Sequence, residues 1–157
     1  MKSKISHLNS EGKAVMVDVS EKMDSPRTAL AAGEVVFPPE TWDYLQKGNW
    51  ISSKGSILEI AKIAGIQGAK ITAQLIPLCH SLPIHWVDIQ MKLVQNTIQI
   101  EAQVKTVGKT GVEMEALTAV STAALTIYDM CKALSHAIQI KEIRLVSKTG
   151  GKADLIL

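Results

Sequence analysis

Two runs of alternating apolar and polar residues, Ile84 to Val94 and Thr97 to Val107, flank the dipeptide Gln95-Asn96, and no other feature limits the fold as tightly. Period-two alternation gives each run one apolar face, and a two-residue connection makes the pair an antiparallel hairpin. Upstream, Ser56 is followed three residues later by Glu59, a capping box. Ile57, Ile60, Ala61 and Ala64 then recur at helical spacing toward Leu75. Downstream, Thr110 with Glu113 reads as a second capping box, opening a long apolar helix to about Leu134. Arg27 to Phe37 is rich in small and β-branched residues and stops at Pro38-Pro39, which predicts a strand. A short helix is expected over Glu40 to Gln46 and a last strand over Ile138 to Val146.

The resulting order, strand-helix-strand-strand-helix-strand, is that of two split βαβ halves. It predicts an α+β fold of the ferredoxin-like sandwich type, an antiparallel sheet with both long helices on one face. The other face then lacks a cover, so self-association is expected. The first 25 residues are less regular, with Asn9-Ser10-Glu11-Gly12 reading as a turn. Residues 1–25 therefore read as an N-terminal arm and 26–157 as a single domain.

At 46% hydrophobic and 20% charged residues, the chain has the balance of a protein with one buried core, which excludes disorder of the whole. Aromatic residues contribute only 4%, so an aliphatic core is expected. The net charge is +2 and the lysines are dispersed, which argues against a dedicated nucleic-acid surface and leaves small anions open. The apolar stretch Val112 to Leu134 carries Glu113, Glu115, Asp129 and Lys132, charges too costly for a lipid-facing span. Without a secretion signal after Met1-Lys2-Ser3-Lys4, Cys79 and Cys131 are expected to be reduced thiols in the cytoplasm.

Three segments place lysine beside glycine: Ser53-Lys54-Gly55-Ser56, Gly108-Lys109-Thr110-Gly111 and Ser147-Lys148-Thr149-Gly150-Gly151-Lys152. The first two precede predicted helices, whose free N–H groups and positive dipole end favour a phosphate-like anion. None is a Walker A loop. Each alone reads better as a cap beside a solvated lysine, and only the three together in a small domain bring a polyphosphate ligand level with that reading. Asp129 and Lys132, three apart on the long helix, can exchange protons near neutral pH or form a plain surface salt bridge. His80, after Cys79 in a proline-bounded loop, is a candidate acid or base or an ordinary loop histidine, and with His85 it lacks zinc-ligand spacing. Glu113 has a structural role in the capping box, which leaves Glu115 for ligand contact. Glu115 and Asp129 lie fourteen residues apart on one helix, or roughly 21 Å, too far to serve one atom. Either the ligand is long or the sites combine different subunits.

The words Met16-Val17-Asp18-Val19-Ser20, Ala61-Lys62-Ile63-Ala64-Gly65-Ile66-Gln67, Leu75-Ile76-Pro77-Leu78-Cys79-His80 and Thr106 to Thr118, with Ala124 to Ala133, resemble the MoaC family of cyclic pyranopterin monophosphate synthases. The resemblance runs from about His7 to Lys152. It implies a lyase that acts on the cyclised dihydro-GTP made by an upstream radical enzyme and expels pyrophosphate as a cyclic phosphate forms, in molybdenum cofactor synthesis. It further implies the ferredoxin-like fold and a homohexamer, a trimer of dimers, with inter-subunit sites, and neither nucleic acid nor membrane as a partner. By matching motifs, Leu78, Cys79, His80, Met114 and Glu115 bind substrate, and Asp129, paired with Lys132, is catalytic. Lys54 and His80 join the catalytic set, and Lys148, Lys22 and Asp18 line the site. Lys54 and Lys148 are assigned to the triphosphate or to proton transfer near it. No cofactor is implied, with Mg²⁺ assistance left open. The family commonly has aspartate where this chain has Ser56, and proline where it has Ser81. Serine at 56 keeps an oxygen acceptor at the helix cap. A purely binding ferredoxin-like module for nucleotide or RNA is the competing reading.

Overall fold

The computed structural model describes residues 7–157. In chain order the elements are β1 (Ser25–Val36), α1 (Pro39–Lys47), β2 (Ile51–Ser52), β3 (Gly55–Ser56), α2 (Ile57–Lys70), α3 (Thr72–Leu75), β4 (Ile84–Val94), β5 (Thr97–Gly108), α4 (Glu113–Cys131), β6 (Gln139–Thr149) and β7 (Leu155–Ile156). Five strands form one antiparallel sheet in the order β4-β5-β1-β6-β7, and β2 pairs with β3 alone. Both α2 and α4 pack on the same sheet face, which is the expected ferredoxin-like α+β arrangement. Among the described residues no helix is long and apolar enough to cross a membrane.

The β4–β5 hairpin forms in the expected register, Val94 opposite Thr97, with Gln95 and Asn96 at φ 33° and 61°. Two consecutive left-handed residues make the tight turn whose twist matches that of the strands. On the helix side of the sheet, Ala29, Ala31, Val35, Ile89, Ile98, Ile100, Ala102 and Val104 are buried. The opposite face carries the polar row Lys92–Gln99–Glu34 and the polar pair Gln90–Glu101. Large exposed apolar side chains lie both on the helices, including Ile63, Leu75 and Leu125, and on the strands, including Trp86, Val107 and Ile143.

The core is mostly aliphatic, with one aromatic exception. Phe37, Trp42 and Trp50 form a buried trio with ring centroids 4.9–5.9 Å apart beneath the β2–β3 hairpin. A low aromatic content says nothing about clustering, and three of the six aromatics sit here.

Some boundaries differ from expectation. The Ser56 hydroxyl does accept from the Glu59 N–H, at 3.4 Å. The helix it starts does not run unbroken to Leu75. Thr72 Oγ1 donates to the carbonyls of Gly68 and Ala69, both at 3.1 Å, and the helix breaks at Ile71 before a last short turn. The second capping box does not form: α4 begins after Val112 with no side-chain cap, so Thr110 lies outside it. That helix ends at Cys131, short of Leu134, and β6 runs on to Thr149.

What brings α2 and α4 together is the absence of side chains at Gly65 and Gly68. A Cβ on Gly65 would stand 2.9 Å from the Ala119 carbonyl and 3.2 Å from Ala123 Cβ, and one on Gly68 would strike the Thr122 side chain. The facing residues on α4 are small, and the two backbones approach closely. Gly65→Ala gains helix propensity of about 1 kcal/mol but overpacks this contact, at a cost of about 1–3 kcal/mol. We expect a net fall in melting temperature of a few degrees, measured by differential scanning calorimetry. A rise would show that the helices separate without penalty.

Candidate active site

The N-terminal end of α4 meets three irregular segments: residues 7–24, the loop after α3, and residues 108–112 that join β5 to α4. Three cavities open there, the smallest of about 240 Å³ between the loop after α3 and residues 108–110. Of the other two, the larger, about 800 Å³, is lined by Lys22, Arg27, Lys109, Lys148 and Lys152 among others. The smaller, about 420 Å³, is lined by Leu78, Cys79, His80, Met114 and Glu115, with Val17 and Val19 from the N-terminal segment. Lys22, Thr110, Gly111 and Glu113 belong to both, so these two cavities share a wall.

The basic cavity is built by neighbouring strand ends and backbone tethers. Arg27, on β1, sends its guanidinium to the carbonyls of Gly108 and Lys109 at 3.3 and 3.4 Å. Lys109 Nζ donates to the Ser20 carbonyl at 2.6 Å, which straps the N-terminal segment across the cavity mouth. Because α4 has no side-chain cap, the positive end of its dipole adds to the field of these cations. Arg27 escaped the sequence reading because nothing marks an arginine inside a strand run as a site residue. Only its register opposite Thr106, next to the lysine-glycine loop, does so.

The smaller cavity has the opposite character. Glu115 is only 4% exposed, and burial pushes its carboxyl up to about 7, against a hydrogen bond from its own backbone N–H and with the Glu113 charge adding to the rise. Burial, and then Glu115, also raise the Cys79 thiol, which stays protonated. His80 Nε2 lies 2.8 Å from the Val17 carbonyl. A carbonyl only accepts, so Nε2 carries the proton and Nδ1 is left as the free acceptor. His85 stands apart, its Nδ1 accepting from the Val107 N–H at 3.3 Å.

The sequence-derived site residues therefore divide. Leu78, Cys79, His80, Met114 and Glu115 gather in one cavity; Lys22 lines both and Lys148 the basic one. Asp18 lines neither. Its carboxylate accepts from the Ser20 N–H and hydroxyl at 2.8 and 2.6 Å, bonds that hold it below the usual carboxylate range. Asp129, Lys132 and Lys54 lie at the far end of α4. There Asp129 Oδ1 and Lys132 Nζ are 2.6 Å apart and exposed, and the pairing lowers the carboxyl and raises the amine. Lys54, at the tip of the β2–β3 hairpin, contributes a smaller share of the field on Asp129. Gly55 turns that hairpin at φ +114°, a conformation other residues adopt only with strain. Cys131, the last residue of α4, is buried at that same end, and burial pushes its thiol to about 11.

Comparison with known proteins identifies the family. The model of the MoaC family matches residues 16–151. A protein of Trichodesmium erythraeum is 56% identical over 151 residues, which is 95% of this chain and 90% of that one. One of Roseiflexus sp. is 54% identical over 153 residues, 96% of each chain, and one of Clostridium acetobutylicum 50% identical over 155 residues, 98% and 95%. All three bear the name cyclic pyranopterin monophosphate synthase.

The Glu115 carboxyl makes stability depend on pH. Its folded pKa of about 7 lies above the ordinary value of 4.5, so between these the folded state holds a proton that the unfolded state has lost. Stability from this group is complete below 4.5 and is lost as pH rises through about 7. Glu115→Gln removes that loss. Its melting temperature should pull ahead of the native chain's across this window and keep a constant lead above it. A lead independent of pH would mean that Glu115 ionises normally.

Proposed function

The chain belongs to the MoaC family, and from that membership we propose that it is a cyclic pyranopterin monophosphate synthase, a lyase of molybdenum cofactor biosynthesis. It converts 3',8-cyclo-7,8-dihydroguanosine 5'-triphosphate, supplied by an upstream radical enzyme, to cyclic pyranopterin monophosphate and pyrophosphate. The observation that carries this reading is the shared wall between a basic cavity and a smaller, largely apolar one that holds a near-neutral carboxyl. A triphosphate lies against Lys22, Arg27, Lys109 and Lys148. The ring system at its other end enters among Leu78, Cys79, His80, Met114 and Glu115.

In that pose Glu115 and the free Nδ1 of His80 are placed to move protons on the ring system as it opens and recloses. To form the cyclic phosphate, a sugar-derived hydroxyl oxygen bonds to the α-phosphorus as the bond to the β-phosphate oxygen breaks. The hydroxyl proton passes to a base, and the charge on departing pyrophosphate is taken up by the lysines. The reading invokes no cofactor and a cytoplasmic setting, in which the free Cys79 and Cys131 stay reduced.

Asp129, Lys132 and Lys54 enter this chemistry only from another copy, because helix rise separates Asp129 from Glu115 by roughly 21 Å on one rod. We assign the complete site to a subunit interface in a homohexamer, a trimer of dimers. The exposed apolar residues of the helices, Ile63, Leu75 and Leu125, support association on that side.

Pyrophosphate release from freshly prepared cyclised dihydro-GTP tests the activity. The native chain should release it, and Asp129→Asn, Lys54→Ala and Glu115→Gln should each lose at least a hundredfold in rate while staying folded and assembled. Mixing inactive Asp129→Asn with inactive Glu115→Gln, after dissociation and reassembly, should restore about a quarter of native turnover if each site draws on two copies. No restoration would place both residues in a site of one chain. Absence of release by the folded native oligomer would move the binding-module reading forward.

A further inference from the structure

Glu113 does not cap its helix. Its Oε1 lies 2.6 Å from Lys148 Nζ, a residue thirty-five positions later on β6. The carboxylate also fills the space over Gly111, where any Cβ would collide with it, and Glu113 stands in the wall common to both cavities. The other cations of the basic cavity are treated differently. Arg27 and Lys109 are tethered to backbone carbonyls, which orient them without cancelling their charge. Among the described residues, Lys148 is the one cation lining that cavity that lies within ion-pair distance of a carboxylate. Asp154, the other acid there, accepts from the Gly150 N–H at 2.9 Å.

We propose that Glu113 is a resident counter-anion: it occupies Lys148 when the cavity is empty, yields it to the incoming phosphates, and reclaims it as pyrophosphate leaves. The idea rests on the phosphate reading of the cavity given above. A pocket of several uncompensated cations binds a polyanion tightly and releases it slowly, and product release often limits turnover. An internal carboxylate beside one of those cations competes with product at short range, where solvent screens it least. It lowers affinity for substrate and product alike, at no cost to a bond-making step in which it takes no part. Glu113 is thus a positioning residue that acts through Lys148.

Isothermal titration with inorganic pyrophosphate, together with steady-state kinetics, tests this on the assembled protein. Glu113→Gln keeps the shape and removes the charge. It should bind pyrophosphate about tenfold more tightly at low salt, with a lower KM and a lower kcat, because release is slowed. Glu113→Asp, which retains the charge, should stay near the native affinity. Unchanged or weaker pyrophosphate binding in Glu113→Gln, while Lys148→Ala weakens it, would overturn the counter-anion and leave the phosphate cavity standing. If Lys148→Ala leaves both pyrophosphate binding and KM unchanged, the phosphate reading itself falls, and the proposal with it. Should Glu113→Gln fail to fold, Gly111→Ala displaces the same carboxylate and should also tighten pyrophosphate binding; unaltered affinity there would count equally against the idea.

Discussion

The close contact of α2 with α4 is the constraint on which the rest of this structure hangs. Gly65 and Gly68 let the α2 backbone approach to within reach of the Ala119 and Thr118 carbonyls, and the small residues of β1 let α4 settle onto the sheet from below. A Cβ at Gly33 would stand 2.7 Å from Val120 Cγ1. With α4 wedged between a helix and a sheet, neither of its ends can move alone. Its N-terminus is fixed at the cavity wall, where Met114 and Glu115 face the loop with Cys79 and His80. Its C-terminus is fixed where Asp129 and Lys132 project beside the Lys54 hairpin. One rigid rod thus fixes two clusters of polar side chains, one at each end.

The two ends use electrostatics in opposite ways. Around Glu115, removal from water makes the neutral acid competitive with the anion near neutral pH. At Asp129 the carboxylate is held ionised by Lys132 in open solvent. An exposed pair of this kind contributes little to stability.

How much of this was legible in the sequence follows from how local each determinant is. The β4–β5 hairpin and the Ser56 cap are written in adjacent residues and were readable almost to the residue. The Thr110–Glu113 box was misread because a partner thirty-five residues later on β6 claims the glutamate, and no local pattern records that pairing. The break at Ile71 likewise reflects a threonine hydroxyl bonding back to carbonyls, a choice that helical periodicity does not reveal. The gathering of Leu78, Cys79, His80, Met114 and Glu115 came from motif resemblance, and the structure brings these five to one cavity. Arg27 became visible as a member of the basic cavity only after the strands were laid side by side, whereas Lys152 already stood in one of the three lysine-glycine segments.

The aromatic trio under the β2–β3 hairpin has an optical consequence. Two of the three tryptophans, Trp42 and Trp50, lie in that dry cluster with rings 4.9 Å apart, and the third, Trp86, sits on the sheet beneath the Lys105 ammonium. Indoles in a dry environment emit to the blue of indoles in water. The blue part of the intrinsic emission therefore comes from a cluster whose Trp50 adjoins the base of the hairpin that presents Lys54, and it can report on whatever docks there.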